Sequence, residues 1–166
     1  MLIDKILLDE LTEKAKASPR LRANYDLRDS AEDESQRMLN AIEPGTVIPV
    51  HRHPRTSEDV AILRGKAEEV FYDSEGHEVS RCLLSPGGDV PAVHVPMGQY
   101  HTCQSLQTGT VIIEVKNTKY DPQGTELFGN EFEDSSLLAC LSKNLNNFYP
   151  QINCGIGKKL YLCSGK

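Results

Sequence analysis

Hydrophobic positions change period twice along this chain. In MLIDKILLDELTEKAKASP the apolar residues Ile3, Ile6, Leu7 and Leu11 recur at helical spacing, which predicts an amphipathic helix with these four on one face. Asp4, Asp9 and Glu10 come early, Lys14 and Lys16 late, and Pro19 lies beyond the end, an order that suits the helix dipole. SPRLRANYDLRDSAEDES is polar and reads as a connecting segment with a short strand near Tyr25. From Met38 to about Lys119, short runs of Val, Ile and Leu alternate with Gly, Pro and Asp turns. Turns at intervals of roughly eight to twelve residues are the texture of an all-β sandwich or barrel. Strands are expected over 37–42, 46–51, 59–64, 66–72, 78–84, 92–95, 101–106 and 110–115. Asp73-Ser74-Glu75-Gly76, Ser85-Pro86-Gly87-Gly88-Asp89 and Pro96-Met97-Gly98 supply the turns between them. Beyond Tyr120 the pattern fades, with a short helix expected over 135–145 and no clear period over 146–166. The expected organisation is an N-terminal helix and connector (1–37), a β-barrel (38–122) and a partly irregular extension (123–166), in one compact domain.

Composition narrows the function. A chain of 166 residues is long enough to bury a core without staples. Apolar and charged fractions of 39% and 25% are those of a globular protein. A net charge of −6 disfavours nucleic acid and anionic membranes as partners. The first segment carries acids from Asp4 onward and has no long apolar core, so it does not read as a signal peptide. No later stretch has the apolar length of a membrane span. Cys82, Cys103, Cys140, Cys154 and Cys163 are odd in number and irregularly spaced, which points to reduced thiols and a cytoplasmic location.

The chemistry concentrates in GTVIPVHRHPRTSEDVAILRG. His51 and His53 are two apart, so on a strand both imidazoles project from one face. Glu58 follows across a short turn, and His101 opens a later strand. Three imidazoles and one carboxylate suit a single divalent transition ion, zinc, iron, nickel or manganese. Two histidines with one residue between them are, in isolation, more often ordinary half-buried strand residues. Their company changes that balance.

Gly45, five residues, His51-x-His53, four residues, Glu58, six residues and Gly65 follow the first cupin motif position by position. Pro96-x-Gly98-x-x-His101 follows the core of the second. The second motif usually opens with Gly where this chain has Val90, and closes with Asn where it has Ser105. Over about 38–120 the chain therefore resembles the cupin superfamily. Within it, the chain is similar to the WbuC-type cupin fold metalloproteins through ASPRLRANYDLRDSAEDESQRMLNAIEPGT, VHRHP, LRGKAEEVFYDSEG and VKNTKYDP. The resemblance implies a mainly β, small jelly-roll barrel with an N-terminal helix, one metal inside it, a homodimer, and a setting in polysaccharide loci.

If strand alternation holds throughout, Val47 and Pro49 share the inward face of His51 and His53, while Ile48 and Val50 face out. Val60 and Ile62 then line the pocket behind Glu58, and Cys103 shares the face of His101. Cys103 is first of all a small buried hydrophobe. Cys103, Lys116, Tyr120 and Arg20 are the candidate substrate contacts, with Arg22 and Tyr25 also near the first strand. A charged residue in a linker is more often simply solvated. His94 has no motif role and reads as a barrel-mouth or core polar residue, and His77 as solvated. Four protein ligands leave about two open positions on an octahedral ion. Such a site suits isomerisation, oxygenation or hydrolysis of a small polar molecule, with an isomerase, epimerase or oxygenase as the expected enzyme class. Its competitors are a module that binds a small ligand unaltered and a metal-stapled scaffold.

Overall fold

The computed structural model describes residues 1–119, 121 and 123–129. Tyr120, the expected helix over 135–145, and Cys140, Cys154 and Cys163 lie outside the described residues. The chain begins with helix α1 (Lys5–Ala17), followed by strands β1 (Arg22–Asp26), β2 (Gln36–Ile42), β3 (His51–Arg52), β4 (Glu58–Arg64) and β5 (Ala67–Tyr72). β6 (Glu78–Leu84), β7 (Ala92–Val95), β8 (Tyr100–Ser105), β9 (Thr110–Lys116) and β10 (Glu126–Leu127) complete it. Two antiparallel sheets result, in the orders β1-β2-β9-β4-β7 and β10-β3-β8-β5-β6. Their facing surfaces make the jelly roll. One compact unit runs from Met1 to Phe128, so it takes in β1 ahead of residue 38 and β10 beyond residue 122.

Alternation along the strands decides what lies between the sheets. Ile42, Val60, Ile62 and Ile112 from one sheet meet Ala67, Leu84 and Cys103 from the other in a single buried cluster. Each fully buried aliphatic side chain of this size contributes about 1.5–3 kcal/mol of transfer free energy. The opposite face of β2 and β9 carries Leu39, Ala41 and Val111, and α1 covers it with Leu8, Leu11 and Ala15. Asp4 caps this helix by accepting from Leu7 N. The buried stripe is Leu8, Leu11, Thr12 and Ala15, whereas Ile3 and Ile6 are 44% and 68% exposed. Of the expected stripe, Leu11 is buried and Leu7 packs beside it, while Ile6 faces away and Ile3 precedes the helix.

A second correction concerns residues 46–51, where no strand forms before His51. Pro49 has no N–H for a ladder, and Thr46 is drawn into a turn, its N–H donating to Glu43 O and its hydroxyl to Leu21 O. Alternation therefore does not propagate from His51 backward. Val47 is 51% exposed and Pro49 is exposed, while Ile48 and Val50 pack against buried clusters.

Two glycines hold positive-φ positions that disfavour a side chain. Gly65 has φ +82°, and a Cβ there would lie 2.7 Å from Thr110 Cα. Gly98 has φ +77°, and its N–H donates to His53 O at 2.9 Å. That bond ties the Pro96-Met97-Gly98 turn to the end of the His51–His53 segment.

Candidate metal centre

Both sheets supply the cluster. His51 on β3 stands directly opposite His101 on β8, and His53 follows one residue beyond β3. Glu58 opens β4 in the other sheet, between Lys116 on β9 and Val95 on β7. One ligand-capable atom from each of His51, His53, Glu58 and His101 lies within 4.8 Å of the other three. Bonds of about 2.0–2.2 Å to a common ion bring such atoms to within about 4.4 Å, a contraction of a few tenths of an ångström. His53, Glu58 and His101 are buried and His51 is half-buried, so His51 is the most exposed member of the cluster.

The hydrogen bonds fix which atoms converge. His51 Nδ1 donates to Pro49 O at 2.9 Å and His101 Nδ1 to Gln99 O at 3.0 Å. A carbonyl only accepts, so each Nδ1 carries the proton and each Nε2 keeps its lone pair. His53 Nδ1 lies 3.3 Å from Thr125 Oγ1, and its Nε2 is buried without a hydrogen-bond partner among the described residues. That Nε2 is 3.3 Å from Glu58 Oε2, and His101 Nε2 is 3.2 Å from the same oxygen. Lone pairs facing one carboxylate oxygen repel unless a cation sits among them. The donor set and the orphaned His53 nitrogen both fit a divalent transition ion.

Electrostatics agree with that fit. Burial, and then the nearby His101, hold His51 down to about 3, so its imidazole is neutral and available as a ligand. Burial alone would raise the Glu58 carboxyl. Positive charge facing Oε2, from a bound cation or from protons on His101 and His53, and the ammonium of Lys116 at Oε1 outweigh it and keep Glu58 well below the usual range. Lys116 Nζ is 3.1 Å from Glu58 Oε1, which leaves Oε2 for the cluster.

The other candidates separate clearly. Lys116 is buried at the centre and Cys103 is buried behind His101. Arg20 is exposed in the turn between α1 and β1. Arg22 pairs with Ile42, which pairs with Thr110, at the end of the sheet remote from Lys116. His94 is neither at a barrel mouth nor in a core. Val93 and Val95 take the inward positions of β7, so His94 faces outward, 60% exposed, with Nδ1 2.7 Å from Asp59. His77 is 70% exposed, as expected for a turn.

Two carboxyls on the inner face were not foreseen. Glu69 on β5 is 1% exposed. Burial, then the charge of Glu58, pushes it well above the usual carboxylate range. Glu114 on β9 is half-buried on the same inner face, and the same two causes raise it to about 8. A sequence signal did exist for Glu114: it lies two residues before Lys116 and so shares its strand face.

A family described as a domain of unknown function (DUF6016) matches residues 3–84, a span that ends before His101. Oxalate decarboxylase OxdC of Bacillus subtilis is 37% identical over 62 residues, 37% of this chain and 16% of that protein. The capsular polysaccharide assembling protein CapF from Staphylococcus aureus superposes with a TM-score of 0.57 at 23% identity. That match covers 67% of this chain and 32% of CapF. Oxalate oxidase gives 0.54 at 18% identity, over 79% of this chain and 68% of that one. The chain thus spans about a third of CapF and much less of OxdC. Likeness at these identities is one of fold: the chain is a cupin-type jelly roll with a cupin-like His, His, Glu, His cluster inside it.

Proposed function

We propose that this chain holds one divalent transition ion through His51, His53, Glu58 and His101 and uses it on a small polar molecule. The observation that carries the reading is the convergence of three imidazoles and one carboxylate whose outer hydrogen bonds aim them inward. When bound, such an ion polarises an oxygen ligand and lowers the pKa of a coordinated water. The protein supplies the rest. Lys116 holds one Glu58 oxygen and leaves a fixed positive charge beside the site. Farther along the barrel, Ile42, Ile62, Leu84 and Ile112 close it against water.

Turnover is favoured over simple binding, with isomerisation, epimerisation or oxygenation as the reaction class. CapF is a capsular polysaccharide assembling protein, which supports a sugar or sugar nucleotide as the small molecule. The same reading carries a WbuC-type relationship, a homodimer and a cytoplasmic location. Among the described residues no helix is long and apolar enough to cross a membrane.

Metal analysis of protein purified without an affinity tag should find about one ion per chain, and His53→Ala should lose it while keeping the fold. Ion at a hundred times its Kd should stabilise the wild type by about 2.7 kcal/mol and leave His53→Ala unmoved. An intact His53→Ala that retains its metal contradicts the site. Recovery of a bound sugar unaltered after prolonged incubation favours the binding module over the enzyme.

A further inference from the structure

The barrel interior holds a second polar layer that the metal cluster does not use. Glu69 pairs with Cys103 on one side and Cys82 on the other, and shares its strand face with Ala67 of the inter-sheet core. Glu114 stands in the opposite sheet between Val60 and Met38. Cys103 is two residues from His101, Val60 two from Glu58, and Glu114 two from Lys116. The two layers are therefore about 7 Å apart along the strands.

Glu69 is the anomaly. It is almost wholly buried, and among the described residues neither Oε1 nor Oε2 makes a well-aligned hydrogen bond. Buried polar atoms are nearly always partnered, so an exception needs a reason. The carboxyl's polar neighbour is the Cys103 thiol, a weak donor that brings it no countercharge. The ammonium of Lys116 is engaged by Glu58 in the layer above. Among the described residues, one thiol leaves most of the carboxyl's hydrogen-bonding capacity unmet.

We propose that Glu69, with Glu114 across the barrel, forms a ligand subsite beneath the metal cluster. It takes the uncharged, hydroxyl-bearing end of a small polyhydroxylated molecule whose other end reaches the metal. This rests on the metal reading above and adds the class of ligand. A carboxyl kept neutral by burial offers one O–H donor and one C=O acceptor, which is the complement of an alcohol. A carboxylate or phosphate entering this layer would be a buried anion with no free cation to meet it.

Zinc-loaded full-length protein, titrated calorimetrically with four probes, tests the proposal. All four carry the same chelating α-hydroxy acid head. Erythronate ends in hydroxyls, 2-hydroxybutanoate in a methyl, malate in a carboxylate and 4-amino-2-hydroxybutanoate in an ammonium. Erythronate should bind at least tenfold more tightly than the other three. Glu69→Leu should bring it down to the level of 2-hydroxybutanoate with zinc content unchanged. If that variant fails to fold, Glu69→Met, flexible enough to fill the same space, should do the same. Equal affinities for the four probes, tighter binding of malate or the amine, or an undiminished erythronate preference in either folded variant overturns the subsite while leaving the metal site standing. Failure to retain zinc, or zinc with no binding of any probe, overturns the metal reading and this proposal with it.

Discussion

The inside of this barrel has two halves made by the same strands. Towards Thr110 and Ile42 it is aliphatic, with Ile42, Ile62, Leu84 and Ile112 in one buried cluster. Towards Lys116 and Glu58 the same strand faces carry His101, Glu58, Glu69, Glu114 and Lys116. One half lowers the free energy of folding. The other takes ionisable groups out of water, at a cost that only pairing or a ligand offsets. Stability and chemistry are thus separated along a strand by as little as two residues, the distance from Val60 to Glu58.

The largest test of that division is a truncation at each level. Ile112 is fully buried in the aliphatic half, and Ile112→Ala should cost about 2–5 kcal/mol, as deletion of a packed core side chain does. Glu69→Met, one layer up, should be neutral or stabilising in denaturant melts, because among the described residues the buried acid it removes meets only a thiol. Comparable losses for the two would show that the polar half also holds the fold together.

This division explains how much was legible in the sequence. Strands and turns were visible because Gly and Pro punctuate the runs, and because β4 and β9 are rich in Val, Ile and Leu. His51, His53, Glu58 and His101 were visible because motif spacing is a local property. Glu69 was not, since Ala67-Glu68-Glu69-Val70-Phe71-Tyr72 offers an acid and apolar residues to either face. Only its pairing with Cys103 and Cys82 decides that Glu69 points inward. His94 and residues 46–50 failed for a related reason. An alternation rule needs a continuous ladder and a known inward face, and Pro49 interrupts one while Val95 determines the other.

Glu114 gives the contrast a pH dependence. Its folded value is about 8, against about 4.3 for an unperturbed glutamate. Between these values the folded state holds a proton that the unfolded state has released. Stability should therefore fall as pH rises from about 4.3 towards 8 and level off above, with a slope of at most about 1.4 kcal/mol per pH unit for one proton. Urea midpoints measured across that window should fall less steeply in Glu114→Gln than in the wild type. Parallel profiles would mean that the carboxyl ionises normally and that the upper half is wetter than its burial implies.

The smallest effect probes a polar group in the aliphatic half. Thr110 is fully buried, yet its hydroxyl lies 2.6 Å from Gln107 O and 3.1 Å from Lys66 O and accepts from Lys66 N at 3.2 Å. Every bond it can form is local and closed, which is how a stable core tolerates a hydroxyl. Thr110→Val keeps the shape and removes those bonds, so it should cost about 1 kcal/mol and shift the thermal midpoint by a few degrees. Metal content should not change, because Thr110 is six residues along β9 from Lys116, about 20 Å away along the strand. A buried polar group that is satisfied thus behaves as structure, and its removal stays local. Loss of metal in Thr110→Val would show instead that the two halves are mechanically coupled through β9.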